Sequence, residues 1–402
     1  MALHFFSCHA AAQHSLPPGF SYKSKVPSIA TLPQKSLQKG NWVKLICGAS
    51  FEDVVDVRNL SLVYTLAGVD CIDCAADLAV VNAVNEGIDA ARIILPIRRP
   101  WVMISVKMMR IFTFEKLNLI QMIVQAIVQD HVKRYVLLTQ YLCRMHLAHI
   151  SFYIFHAKFD MKPGVITERC YGCGRCFPVC PYDKIKAHSY LRDAAATSKL
   201  LERDDVDALE IHTNGRQTDS FKELWDSLGE SVNHLSLVAV SLPYIGDSTV
   251  SLMNQMYSIL EPDLRCLNLW QLDGRPMSGD IGRGATRESI AFALRLASAN
   301  DKPPGFLQLA GGTNAHTVDG LSKQNLFQTT TISESTSTLS DSNALIGGIA
   351  YGGYARKIVG RVLQSGSEEE GGVGKIESYP DHLLMAVIEA LGLVGGVKSY
   401  EL

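Results

Sequence analysis

Eight short apolar runs, most of them separated by longer amphipathic stretches, constrain the fold of this chain more than any other feature. The runs are VKLICGA, DCIDCAA, WVMISV, DALEIHT, HLSLVAVSL, RCLNLWQL, GFLQLAG and ALIGGIA. Helical patterns cover Asp53 to Ala67, Leu78 to Ala91, Ser220 to Leu228, Thr249 to Leu260 and Ala285 to Ala299. Eight strands alternating with helices predict a (β/α)8 barrel of roughly 250 residues, with room for one inserted module. An open doubly wound sheet is the other arrangement this alternation allows. With 402 residues, 47% of them hydrophobic and 19% charged, the chain can bury a large core, which excludes global disorder. A net charge of -2 removes the electrostatic pull toward phosphate that a nucleic-acid binder needs.

The chemistry is concentrated in the cysteines. The chain has 10, too few for a disulfide scaffold of this length, and four of them fall between residues 170 and 180. Cys170, Cys173, Cys176 and Cys180, followed by Pro181, have the C-x2-C-x2-C-x3-C-P spacing of a ferredoxin-type [4Fe-4S] site. A tight loop carries three thiolates to three irons, and the fourth cysteine starts a helix whose first turn accepts proline. Tetrahedral zinc sites usually use two C-x2-C knuckles set further apart. In two-cluster ferredoxins the fourth cysteine of such a run serves the other cluster, so Cys180 asks for a partner motif. Cys71 and Cys74 fall in one strand run on opposite faces and read as buried structural thiols, and Cys47 and Cys266 also look like strand residues.

The amino-terminal stretch reads as an address. No Asp or Glu occurs before Glu52, whereas Lys23, Lys25, Lys35, Lys39 and Lys44 lie among Ser, Pro, Ala and Gln. Such a leader is what organelle import machinery reads, and residues 1–43 are assigned to a transit peptide directed to the chloroplast or, alternatively, the mitochondrion. A membrane span is not expected, because the apolar stretch from Leu117 to Val128 meets Asp130, Lys133 and Arg134.

The window from Trp101 to Lys162 contains neither Gly nor Pro and holds 6 of the 11 methionines. This composition fits a helical insert or a gene read out of frame. With each codon read one base earlier, cysteine codons become available across Ile123-Val124, Ile127-Val128, His131-Val132 and Tyr135-Val136, with proline possible after the fourth. The hidden pattern is a second iron-sulfur motif where Cys180 needs one, so residues 107–162 are read as aberrant, from a suspected frameshift.

In a barrel, the loops after the seventh and eighth strands commonly make a phosphate site from glycine-rich backbone and a helix start. Gly311 and Gly312 follow the seventh run, Gly352 and Gly353 follow the eighth, and Arg356 could add charge. A flavin or another phosphate-bearing ligand is the expectation these loops raise, with tight turns as the structural alternative. Asp70, Asp73, Glu210, His212, Asp273 and Arg275 stand at or near expected strand ends and could face a ligand. No decisive catalytic pair emerges. The Ser/Thr-rich stretch from Gln328 to Asn343 reads as a surface loop.

These residues resemble the LdpA family, the light-dependent period proteins of cyanobacteria with relatives in plants. The resemblance rests on LICGASFEDVVDVRNLSLVYTLAGVDCIDCAADLAVVNAVNEGID, VITERCYGCGRCFPVCPYDKI, LQLAGGTNAHTVDGL and ALIGGIAYGGYARKIVGRVL. From Lys107 until near Lys162 the chain departs from the family, which carries a cysteine-rich motif there. The resemblance implies a redox-active iron-sulfur protein, linked in cyanobacteria to the circadian clock, and for this chain a plastid location. Together with the leader, the composition shift and the cysteine spacing, it divides the chain into a transit peptide at 1–43, the first part of the barrel at 44–106, the aberrant segment at 107–162, a ferredoxin-type [4Fe-4S] module at 163–190 and the rest of the barrel with a C-terminal helix at 191–402. The expected cofactor is one [4Fe-4S] cluster in the chain as written, two with the frame corrected. The expected function is redox sensing or regulation in the chloroplast, through an unidentified protein partner or electron donor. The alternative is an oxidoreductase whose cluster serves a flavin or other ligand at the barrel mouth.

Overall fold

The computed structural model describes residues 32–48, 53–107, 109–114, 185–190, 194–213, 215, 218–274, 284–328, 345–365 and 374–399. In chain order the strands are β1 (Trp42–Gly48), β2 (Cys71–Ala75), β3 (Trp101–Lys107), β4 (Met109–Phe114), β5 (Ile185–Tyr190), β6 (Ala208–His212), β7 (Leu237–Pro243), β8 (Leu267–Asp273), β9 (Phe306–Ala310) and β10 (Gly348–Tyr351). All but β4 and β5 close into a barrel in the order β1-β10-β9-β8-β7-β6-β3-β2. Every neighbouring pair is parallel, and β10 pairs with β1 through Trp42↔Gly348 and Lys44↔Ala350 to seal the ring. All eight apolar runs become barrel strands, and the (β/α)8 expectation holds.

The helices are α1 (Pro33–Lys39), α2 (Val54–Leu66), α3 (Leu78–Ile94), α4 (Ala194–Leu201), α5 (Thr218–Leu228), α6 (Ser248–Leu260), α7 (Thr286–Ala297), α8 (Thr317–Lys323), α9 (Gly353–Ser365) and α10 (Pro380–Lys398). Helices α2 and α3 start where aspartates can cap them: Asp53 accepts from the Val55 and Asp56 amides, and Asp77 from those of Ala79 and Val80. Outward-facing strand residues such as Ile72, Cys74, Ile104, Ile211, Val240 and Leu309 pack beneath the helices in one continuous core.

Inside the barrel, the amino-terminal half is apolar. Trp42, Cys71, Met103, Ala208, Leu237, Ala239 and Leu269 fill it, with Leu37 of α1 closing the base. Trp42 and Trp101 meet edge to face at 5.6 Å. Only glycine fits at position 348, because a Cβ there would stand 2.2 Å from the Trp42 carbonyl oxygen. Cys71 lies in the inner cluster and Cys74 in the outer, so alternation does separate them. Burial pushes both thiols well above the ordinary range, which keeps them unreactive.

The expected leader boundary needs correction. Leu37 and Trp42 are both fully buried, the Ser36 hydroxyl donates to Asp70 at 2.8 Å, and α1 ends on Gly40 in the left-handed conformation. Residues 33–43 therefore belong to the barrel and not to a leader, and residues 1–31 lie outside the described set. Asp70 is also not at the mouth. It sits at the base, where it accepts from the Val43 amide (2.8 Å) and from Arg98 (3.0 Å) and pairs with Lys398 at the end of α10.

Helix α10 is long and apolar enough, by length and composition, to cross a membrane. Here one face of it packs on the rest of this unit through Leu383, Ala386, Ala390, Leu393, Val394 and Val397.

A second unit covers Met109–Tyr190. Its described part is the antiparallel pair β4–β5, with register from Met109↔Tyr190 to Phe114↔Ile185. Cys170, Cys173, Cys176 and Cys180, the hidden cysteine positions and most of the 107–162 segment lie outside the described residues.

Candidate site at the carboxyl ends of the barrel strands

Barrel interiors are ordinarily filled by layers of branched apolar side chains. Above Met103 and Ala239 this one turns polar. Lys44 (β1), Asp73 (β2), Ser105 (β3), Glu210 (β6), Ser241 (β7), Gln271 (β8) and Gln308 (β9) point inward and are buried, so seven of the eight strands contribute a polar side chain. His212 and Asp273, two residues further along β6 and β8, sit above them and are only partly buried.

The centre of this layer is the ion pair between Lys44 Nζ and Glu210 Oε2, with neither side chain exposed. Burial works against the Lys44 ammonium, but the Glu210 and Asp73 charges overcome it and hold its pKa above the ordinary lysine value. Burial likewise opposes the Glu210 carboxylate, yet Lys44 and then His212 draw its pKa below the usual range. Lys44 Nζ also lies 3.5 Å from the Met103 sulfur.

A directional chain of amides orients Glu210 from below. The Trp42 indole N–H can only donate, and it donates to Gln308 Oε1 at 2.7 Å. That leaves Gln308 Nε2 to donate to Gln271 Oε1 (2.9 Å), and Gln271 Nε2 to donate to Glu210 Oε1 (2.7 Å). One indole thus settles the sense of two buried amides. Gln271 Nε2 also lies 3.3 Å from Asp273 Oδ1.

On the solvent side, the Ser241 hydroxyl donates to Asp273 Oδ2 at 2.5 Å and lies 2.9 Å from His212 Nδ1. His212 Nε2 is 3.1 Å from Glu210 Oε1. The Ser105 hydroxyl donates to Asp73 Oδ1. Burial pushes the Asp273 carboxyl up to about 7; the Ser241 bond opposes this and the Glu210 charge adds to it.

The structure therefore gathers four of the six polar strand-end candidates, Asp73, Glu210, His212 and Asp273. It moves Asp70 to the opposite end of the barrel, and Arg275 lies outside the described residues. Lys44, Ser105, Ser241, Gln271 and Gln308 are additional members that strand alternation alone did not single out. In the sequence Ser105 stands two positions before Lys107 and Gln271 two before Asp273, but Lys44, Ser241 and Gln308 have only apolar residues two positions away in their strands, so nothing local marked them.

The glycine loops stand at neighbouring strand ends. The Thr313 hydroxyl donates to the Ala350 carbonyl at 2.5 Å, linking the loop after β9 to β10. Gly311 and Gly312 both have positive φ, 63° and 100°, and a Cβ at Gly312 would stand 2.4 Å from the Ala285 carbonyl oxygen. Gly353 begins α9, with open space where its Cβ would be, and Gly352 precedes it. Arg356 Nη1 donates to the carbonyls of Ile46 and Cys47, each at 2.8 Å, and so ties α9 to the end of β1.

Comparison with known proteins gives the wider setting. Residues 200–396 match the light dependent period A C-terminal domain family, and residues 155–191 match the LdpA Fe-S cluster-binding domain family. The cysteine motif lies inside the second match. The chain is 34% identical over 377 residues to the light dependent period A protein of the cyanobacterium Synechococcus elongatus, covering 92% of this chain and 95% of that protein. A barrel with this sequence, the iron-sulfur-binding segment joined to it and near end-to-end similarity together place the chain in the light dependent period A family.

Proposed function

We propose that this protein is an iron-sulfur redox sensor or regulator of the chloroplast, holding one [4Fe-4S] cluster on Cys170, Cys173, Cys176 and Cys180. The observation that carries this reading is the coincidence of the Fe-S-binding family match at 155–191 with the spacing C-x2-C-x2-C-x3-C-P. The donor set fits the group: four thiolates supply the four corners of a cubane, with no histidine in the run to favour a Rieske-type centre. When bound, such a cluster supplies reversible one-electron transfer. A regulator needs only that the two charge states differ in their affinity for a partner.

Anaerobic purification tests the reading. Broad visible absorption that bleaches with dithionite, together with iron and sulfide at about four each per chain, is the expected result. Stoichiometric zinc without sulfide would overturn the cluster. For location, the full chain fused at its carboxyl end to a fluorescent protein should enter plastids, and residence in mitochondria or cytosol would refute the chloroplast assignment.

A second reading, an iron-sulfur oxidoreductase, draws on one observation: a polar layer built by seven strands is costly in a barrel interior unless it handles a ligand. Turnover of a small substrate with electrons supplied through the cluster would favour it over the sensor.

A further inference from the structure

The polar layer of the barrel brings carboxyl groups close to one another. Among the described side chains, three carboxylates (Asp73, Glu210 and Asp273) gather around one lysine and one imidazole. Glu210 and Asp73 are fully buried. Buried carboxyl groups are costly unless positive groups or protons stand among them, and a bound cation is one way to supply that charge.

The geometry puts that ion in one place. Ligand atoms of Asp73, Glu210 and His212 all lie within 4.8 Å of one another. His212 Nε2 and Glu210 Oε1 are 3.1 Å apart, close to the separation of two atoms that occupy adjacent positions about 2.1 Å from one metal. Outside this trio, Ser241 supplies the orientation. Because its hydroxyl donates to Asp273, it accepts from His212 Nδ1–H, and Nε2 is turned toward the Glu210 carboxylate, where it can hold a proton or ligate a metal. With either a proton or a metal ion between them, the two atoms attract. Holding the far ring nitrogen of a ligating histidine through a hydroxyl and a carboxylate is the usual outer support of metal sites. Lys44 stays on the other oxygen, Oε2, and does not block the position.

We infer that Asp73, Glu210 and His212, none of them part of the cysteine motif, form a divalent-cation site at the carboxyl end of the barrel. Two carboxylates and one imidazole suit manganese, ferrous iron or zinc, and three protein ligands leave coordination positions open to water or a substrate oxygen. The site would act as a Lewis acid at the place where barrel enzymes keep their chemistry.

Manganese(II) is the probe of choice, because thiolates bind it weakly and the cysteine motif will not compete. It is titrated into the anaerobic, cluster-loaded full chain and followed by loss of the free-ion paramagnetic signal. The expected result is about one ion per chain, with Asp73→Asn and His212→Gln each weakening binding about tenfold or more, and Asp381→Asn, on α10, leaving it unchanged. If a variant fails to fold, pulsed paramagnetic spectroscopy of the wild-type complex decides: coupling to an imidazole nitrogen supports the site. No saturable manganese binding up to millimolar concentration, binding indifferent to both variants, or a bound ion without nitrogen coupling would overturn it. In the first of these cases a proton, not a metal, holds His212 against Glu210.

Discussion

The ammonium of Lys44 on β1 meets the carboxylate of Glu210 on β6 in the middle of the barrel, and neither side chain touches solvent. The two strands are not neighbours in the sheet. The pair therefore bridges the barrel interior, and the Trp42–Gln308–Gln271 chain aligns its acidic partner from beneath.

Removing one member of this pair should strand the other charge in the interior. Lys44→Met and Glu210→Gln are each expected to lower stability by about 3–5 kcal/mol, and the double variant by clearly less than their sum. Urea unfolding of the four proteins measures this. Additive losses below about 1 kcal/mol each would show that water, not the partner, satisfies the two groups.

Asp273 imposes a pH dependence with a definite sign. Its folded carboxyl titrates at about 7, above the ordinary aspartate value near 4, so the folded state binds the proton more tightly than the unfolded chain. The stabilisation from that proton is complete below about pH 4 and is lost as pH rises through about 7. Asp273→Asn should remove this slope, leaving a stability profile flatter between pH 4 and 7 than that of the wild type. Parallel profiles for the two proteins would contradict the shift.

Among the cysteines, Cys173→Ser should abolish the cluster's visible absorption, whereas Cys74→Ser should leave it intact, since Cys74 is buried beneath the helices of the barrel. Loss of iron in both variants alike would mean that the effect is a general failure to fold.

The segment at 107–162 has its own test. If its composition reflects a displaced frame, the transcript across the codons for Val106 and Gly164 encodes four further cysteines, and the native protein carries about eight irons. A continuous message encoding MMRIFTFEKLNLIQMIVQ in frame, with matching peptides from purified protein, would establish the sequence as written.

The barrel was readable because each strand is buried on both faces and so appears as a short, dense apolar run, as in LVAVSLP of β7. Its base was not. Helix α1 consists of PQKSLQK, whose polar letters continue the acid-free leader, and only tertiary contact shows Leu37 and Ser36 to be core residues. Asp70 was misplaced because an aspartate beside a strand can stand at either end of it, and Asp70 precedes β2 while Asp73 lies within it. Lys44 and Gln308 were overlooked for a different reason. A single polar residue in a strand normally marks the solvent face, and only closure of the sheet turns that face inward.

The attachment of Lys398 to Asp70 bears on how the molecule is made. These residues lie 328 positions apart, and β1 likewise waits for β10 before the ring can close. A chain emerging from a ribosome or an import pore exposes the edge of β1 almost from the start, and its partner arrives only near the end. Until then the half-built sheet offers unpaired backbone to any strand nearby. Escort by a chaperone through that interval, rather than resistance to unfolding afterwards, is the step on which the yield of this protein should chiefly depend.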